Sequence, residues 1–365
     1  MIKKLRRKID QSLERFMDRI KKDYKLHLVN PILYHSIREY CLREGKRIRP
    51  LLLILSYLGY CPSNKKVTPS LYNASTCIEL LHNFMLIHDD IIDRSNLRRG
   101  RPTMHKMLAN IVKTKEPDKL GSDLAIIAGD IVYALAIDAF LSIDENPIRK
   151  ERALKYFVQT AAFTAMGEFI DTIHGVDKLT KVHERDVFLN YTLKTARYTF
   201  DCPLVTGAIL AGAPQKDIDR LSRLGILVGQ AFQIQDDIIG IFDSEKNIGK
   251  SILSDLAESK KTILVVHAFS VLKGPGRRAF LELFNKPKKA FHDLVAIRKI
   301  FIQSGSLQYS LKLINNRLQK TLDLLKSLKI NDRYRLTIEE ATLSLFKHSL
   351  RIAHENDLHI EFSSR

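Results

Sequence analysis

Two groups of aspartates carry the most chemistry this sequence could do. Asp89-Asp90-Ile-Ile-Asp93 closes the apolar run Ile78–Ile92, and Asp236-Asp237 lies near the end of Gly229-Gln-Ala-Phe-Gln-Ile-Gln-Asp-Asp-Ile-Ile-Gly240. On a helix, Asp89 and Asp93 fall one turn apart on one face, with Asp90 beside them. Carboxylates crowded there repel one another unless a cation neutralises them. Oxygen-only ligands suit Mg²⁺, which takes a few carboxylates, keeps waters and shares its shell with substrate phosphates. A solvated acidic helix end is the ordinary alternative, but it fits poorly on a helix that is apolar on nearly every face. One such group is a weak signal. Two, each closing an apolar helix, predict a clamp on a diphosphate held through magnesium.

Donors for anionic oxygens accompany the aspartates. Gly45-Lys46-Arg47-Ile-Arg49-Pro50 is dense in cations, Arg98-Arg99-Gly100 follows Asp93, and Lys194-Thr195 falls on a third helix. Lys250, Lys260 and Lys261 follow the second aspartate pair. Arginine grips phosphate oxygens as a fork and lysine as a point charge. Any one of these residues, taken singly, reads as a surface charge. No Ser/His/Asp or Cys/His triad competes with the anion-binding set.

The elements that must position these residues are helices. Helical periodicity marks segments near 4–25, 33–44, 48–60, 69–93, 120–144, 148–174, 182–197, 199–212, 216–242, 259–272, 289–303, 305–329 and 334–353. Prolines fall mostly at starts and breaks, and no alternating β-branched run competes. With 45% hydrophobic and 27% charged residues, 16 glycines, 11 prolines and no tryptophan, collagen-like, low-complexity and disordered classes are excluded. The expectation is one all-α domain over residues 1–365, with a basic helix at 1–25 packed on it.

Four scattered cysteines without a C-x-x-C pair argue against a disulfide framework or zinc knuckle and for reduced thiols in the cytoplasm. Charges interrupt every apolar stretch from Met1 to Tyr24, so no signal peptide is expected. Leu124–Ile143 contains Asp130 and Asp138 and reads as a buried helix of a soluble protein rather than a membrane span. The net charge is +18, and residues 1–25 carry ten Lys/Arg against four Asp/Glu. A solvated basic surface is the plain reading, with weak attraction to a membrane surface as its further use. Nucleic acid is not expected as a partner, because that reading leaves the aspartate pairs unexplained.

The ordered set resembles the trans-isoprenyl diphosphate synthases, the chain-elongating prenyltransferases of the farnesyl and geranylgeranyl diphosphate type. Their D-D-x-x-D-x-x-x-x-R-R-G motif is met from Asp89 to Gly100 without a gap, and G-K-R-x-R-P from Gly45 to Pro50. K-T-A is Lys194-Thr195-Ala196, and F-Q-I-Q-D-D runs from Phe232 to Asp237. The G-K…S-D…K-K-T tail is Gly249-Lys250, Ser254-Asp255 and Lys260-Lys261-Thr262.

This resemblance implies a helical bundle around a central cavity, three Mg²⁺ ions and a homodimer built through helices such as 120–144. It implies that Asp89, Asp90, Asp93, Asp236 and Asp237 hold Mg²⁺ on an allylic diphosphate, which Arg98, Lys194, Lys250 and Lys260 also grip. Lys46, Arg49, His82 and Arg99 then bind isopentenyl diphosphate, and Thr195 and Gln233 stabilise the developing cation. Ionising the allylic C–O bond leaves diphosphate and a carbocation, the isopentenyl double bond attacks, and a proton is lost to the diphosphate. Fixed charges stabilise the leaving group, and an apolar tunnel must exclude water.

Two positions depart from the pattern. Gly240 stands where many relatives carry a third aspartate, with Asp243 the nearest substitute, and Glu168 stands where relatives often have glutamine. Neither removes the paired clamp. In such enzymes the side chains four and five residues before the first aspartate line the elongation tunnel, here Met85 and Phe84. An aromatic at the fifth position lies about 7.5 Å further down the helix and would stop a growing chain. That predicts geranylgeranyl diphosphate (C20), with farnesyl diphosphate next; ordinary core packing is the other use of Phe84. A terpene cyclase or head-to-head synthase would not need the second diphosphate set, and a non-catalytic synthase subunit would have lost an aspartate cluster.

Overall fold

The computed structural model describes residues 1–62, 68–111, 113–243, 260–356 and 358. Among them the chain is helical apart from turns and a two-residue hairpin, Leu97–Arg98 with Arg101–Pro102. The all-α expectation holds. The contacts divide into two compact units.

The first unit contains residues 1–159, 202–218 and 329–334. Its helices are α1 (Ile2–Asp23), α2 (Leu26–Val29), α3 (Pro31–Leu42), α4 (Ile48–Tyr60), α5 (Pro69–Ile92), α6 (Met104–Ile111), α7 (Pro117–Leu141), the start of α8 (Pro147–Val176) and α10 (Cys202–Ala211). Asn30 caps α3 by accepting from the Ile32 and Leu33 amides, and Pro31 occupies its first position. Thr68 and Pro69 start α5 in the same way. The centre is α4, buried from Pro50 to Gly59, packed on α5 and α10. Gly207 of α10 permits that approach, since a Cβ there would fall 2.3 Å from the Leu53 carbonyl oxygen.

Helix α1 buries Leu5, Ile9, Leu13, Phe16, Met17 and Ile20, a stripe at helical spacing, against α3, α4 and α5. The basic N-terminal helix is therefore part of this core. Helix α7 is long and apolar enough to cross a membrane by length and composition. It nevertheless buries Ala125, Ala128, Val132, Leu135, Ala136 and Ala139 while packing on α5 and α6. The sequence reading of a buried helix rather than a membrane span agrees with this packing, while Ile126, Ile127 and Leu141 stay exposed on the face turned away from α5 and α6.

The second unit contains residues 160–201, 219–328 and 335–365. It holds the rest of α8, α9 (Glu184–Asn190), a π-helix over Tyr191–Asp201, most of α11 (Gln215–Phe242), α12 (Ile263–Val271), α13 (Gly274–Phe284), α14 (Phe291–Gln303), α15 (Ser306–Lys326), most of α16 (Asp332–Ser344) and α17 (Lys347–Glu355). Leu307, Leu311, Ile314, Leu318, Leu322 and Leu325 form the buried stripe of α15, which packs on α12 and α14.

Where sequence periodicity placed a break near 198, the chain instead runs on as a wide i→i+5 helix. Helices α6 and α13 were not expected, and the segment 334–353 is interrupted at Leu345–Phe346.

Candidate active site

In the first unit, Asp89, Asp90 and Asp93 occupy the last turn and C-cap of α5. That is the negative end of the helix dipole, where carboxylates are disfavoured and cations favoured. The last turn holds no basic residue of its own. The compensating charge comes from the hairpin: Arg98 donates to Asp90 Oδ1 at 2.8 and 2.5 Å and to Asp89 Oδ2 at 3.1 Å. Asp90 is fully buried, and its other oxygen accepts from the Tyr40 hydroxyl at 2.9 Å. Burial pushes the Asp90 carboxyl up despite the opposing pull of Arg98. Asp89 and Asp93 are half-buried. The motif thus splits into an enclosed aspartate that anchors Arg98 and two at the helix end.

The cationic loop between α3 and α4 belongs to the same unit. Arg47 turns inward: its guanidinium meets Glu79 at 2.5 Å, Asp10 at 2.8 Å and the Arg43 carbonyl at 2.8 Å. This role was not read from the sequence; the one signal was Glu79, an acid within the apolar run of α5. With Arg47 spent on structure, Lys46 is exposed and Arg49 half-buried. Arg99 donates to the Arg43 and Glu44 carbonyls at 3.3 and 3.0 Å. Gly45 leaves room for it, because a Cβ there would stand 3.0 Å from an Arg99 nitrogen.

His82 is buried, and its imidazole is held well below its ordinary pKa by burial and then by Arg49, Arg99, Arg98 and Arg47. A neutral histidine among guanidiniums describes a strongly positive pocket, suited to an anion. Lys46, Arg49, His82 and Arg99, grouped by motif alone, belong to one local structure.

Phe84 and Met85 are half-buried on α5. Phe84 lies against His88 and against Tyr133 of α7, with ring centroids at 4.8 and 4.9 Å.

In the second unit, the π-helix carries Lys194 and Thr195, and π-turns recur at functional sites. Three glycines on α8 and α11 hold its backbone. A Cβ at Gly167 would lie 2.3 Å from the Lys194 nitrogen, at Gly229 2.3 Å from the Ala196 Cα, and at Gly225 2.5 Å from the Asp201 Cα.

The Lys194 ammonium sits 2.7 Å from Asp171 Oδ2 and 2.9 Å from Glu168 Oε2, and Asn190 donates to Asp171 at 2.7 Å. Burial works against the Asp171 charge, but Lys194 and Lys260 hold its carboxyl below the usual range.

Thr195 donates to Gln233 Oε1 at 2.6 Å, and Gln233 donates to Asp237 Oδ1 at 3.1 Å. The other Asp237 oxygen accepts from the Tyr191 hydroxyl, which itself accepts from the Ile263 amide at 3.0 Å. Tyr191 was missed, since a tyrosine near a K-T-A triplet carries no spacing signal.

Asp236 is exposed on α11, beside Asp237 and more than a turn before the helix ends at Phe242. Burial, with some help from Asp236, pushes the Asp237 carboxyl up to about 7, against the pull of Tyr191 and Gln233. A hard divalent cation fits this donor set, because it would relieve the excess negative charge through oxygens alone. Asp243 is buried and paired with Arg351 at 2.5 Å and His348 at 3.4 Å. Gly249, Lys250, Ser254 and Asp255 lie outside the described residues.

Known proteins resemble this chain over most of its length. The chain is 32% identical to geranylgeranyl diphosphate synthase of Sulfolobus acidocaldarius over 299 residues, 81% of this chain and 84% of that one. It is 29% identical over 308 residues to a short chain isoprenyl diphosphate synthase of Methanocaldococcus jannaschii, covering 84% of each. A geranylgeranyl pyrophosphate synthase of Corynebacterium glutamicum, solved with isoprenyl diphosphate and magnesium, matches with a TM-score of 0.83 at 25% identity over 93% of this chain and 97% of that one. The polyprenyl synthetase family matches residues 30–300, and the chain belongs to that family of prenyltransferases.

Proposed function

We propose that the protein condenses isopentenyl diphosphate with an allylic diphosphate to make all-trans geranylgeranyl diphosphate. The observation that carries this reading is the pair of aspartate clusters. Asp89, Asp90 and Asp93 crowd the negative end of α5, where Arg98 offsets only part of their charge, and Asp236 adjoins the buried Asp237 on α11 and helps push its carboxyl up. The relatives named for geranylgeranyl diphosphate support the C20 product.

Asp89 and Asp93, with Asp236 and Asp237, hold Mg²⁺ on the allylic diphosphate, while Asp90 keeps Arg98 aimed beside them. Bound magnesium supplies Lewis-acid stabilisation of the leaving diphosphate. Arg98, Lys194, Lys250 and Lys260 add fixed positive charge to that diphosphate, with Lys194 exchanging part of its carboxylate contact for it. Lys46, Arg49, His82 and Arg99 hold isopentenyl diphosphate, with His82 neutral and acting as a donor. The oxygen dipoles of Thr195 and Gln233 face the developing cation. The two units act as one catalytic domain, working in the cytoplasm as a homodimer through the exposed apolar face of α7. The cations of α1 give weak attraction to an anionic lipid surface.

The test is a product assay with Mg²⁺, labelled isopentenyl diphosphate and, separately, dimethylallyl, geranyl and farnesyl diphosphates. Label in a C20 alcohol after phosphatase treatment is expected. Label stopping at C15 would correct the product and keep the reaction. No incorporation by folded protein would remove the elongating activity and favour a cyclase or a non-catalytic subunit.

A further inference from the structure

We infer that Tyr133 of α7, together with His88, limits product length by fixing the ring of Phe84; the inference rests on the chain-length reading of Phe84. Phe84 and His88 stand one turn apart on α5, and Gly129, Asp130 and Tyr133 occupy adjoining turns of α7. The Phe84 ring meets His88 edge-on, 4.8 Å between centroids at 64°, and Tyr133 in a tilted stack, 4.9 Å at 32°. Turning the Phe84 side chain to another rotamer gives up both contacts, so the pair acts as a detent on its χ angles.

His88 is placed by α7 as well. Its Nε2 lies 3.5 Å from Asp130 Oδ1, and a Cβ on Gly129 would come within 2.4 Å of that nitrogen. Glycine at 129 is what lets the imidazole lie where it can brace Phe84. Nothing in the spacing of the aspartate motif points to residues 129–133, which reach Phe84 only through the packing of α7 on α5. Tyr133 is a positioning residue: it acts on the product through Phe84.

The experiment compares Phe84→Ala, Tyr133→Ala, Tyr133→Phe, Tyr133→Leu and the Phe84→Ala/Tyr133→Ala double variant. Products are formed from labelled isopentenyl diphosphate and farnesyl diphosphate, with folding of each variant checked by its melting curve. Tyr133→Ala is expected to raise the ratio of C25-and-longer products to C20 by about two- to tenfold, the equilibrium weight of one aromatic contact. Tyr133→Phe keeps the ring and the wild-type ratio.

The double variant is expected to match Phe84→Ala alone, because a brace has no effect once the braced ring is gone. If Tyr133→Ala fails to fold, Tyr133→Leu keeps apolar bulk without the stacked face, and the same ratio shift is read there. An unchanged ratio in folded Tyr133 variants, while Phe84→Ala lengthens the product, overturns the inference and leaves the chain-length reading intact. An unchanged product in Phe84→Ala overturns the chain-length reading itself. A double variant making longer products than Phe84→Ala overturns the claim that Tyr133 acts through Phe84.

Discussion

Replacing Gly167 by alanine adds one methyl group at the point where α8 meets the π-helix. Its Cβ would fall 2.3 Å from the Lys194 nitrogen, 2.7 Å from the Lys194 Cα and 2.8 Å from the Leu193 carbonyl carbon. Ordinary contact begins at 3.4 Å, so the two backbones must separate by about 1 Å. All three atoms are main chain, and no side chain can swing aside to relieve the overlap.

Alanine favours a helix over glycine by about 1 kcal/mol. Overpacking against immovable backbone costs about 3 kcal/mol, the upper end of its usual range. The expected net loss is about 2 kcal/mol. Gly175, in the last turn of the same helix, has nothing within 4 Å of its built Cβ. Gly175→Ala should therefore gain about 0.5 kcal/mol from the same chemical change.

The functional consequence follows from what the π-helix carries. A shift of about 1 Å in Lys194 and Thr195 should lower kcat about 100-fold. The KM for isopentenyl diphosphate should stay nearly constant, because its proposed ligands lie in the first unit. Urea melts of the three proteins and steady-state rates with farnesyl diphosphate measure both effects. Equal stability for the two alanine variants, or wild-type kcat in Gly167→Ala, would refute the reasoning that this close contact sets the position of the Lys-Thr pair.

Arg47→Met strands Glu79, which is only 2% exposed, without its cation. Denaturant unfolding should show a loss of about 3–5 kcal/mol, and adding Glu79→Gln should restore part of it. His82 gives a pH signature. Its native pKa lies well below that of the unfolded chain, so between pH 7 and 5.5 the unfolded state takes up a proton that the native state refuses. Stability therefore falls as pH drops below about 6.5, by about 1.4 kcal/mol at pH 5.5 for this group. Well above about pH 6.5 both states are deprotonated and the group contributes no pH dependence. His82→Asn should flatten the stability–pH curve by that amount, and an unchanged slope would show that His82 protonates freely in the folded protein.

The aspartate clusters, the cation-rich G-K-R-x-R-P loop and the Lys-Thr pair are legible in the sequence because each is local: residues within one or two turns, whose joint presence has no plain structural use. Helical periodicity likewise sets most of the elements, since a buried stripe such as Leu307 to Leu325 repeats along one face. Three things come only from tertiary packing. Arg47 lies in a motif of anion binders yet serves as a buried strut, because Asp10 and Glu79 arrive from helices distant in sequence.

Asp90 likewise shares a motif with Asp89 and Asp93 but is enclosed by Tyr40, fifty residues upstream, and by Arg98. The continuous π-helix replaces a break that local propensity suggested, because glycines on α8 and α11 leave room for the wider turn. A motif fixes which groups are available over a few residues. Which of them face solvent, substrate or one another depends on surfaces brought together across the whole chain, whose contacts leave no periodic trace in either partner segment.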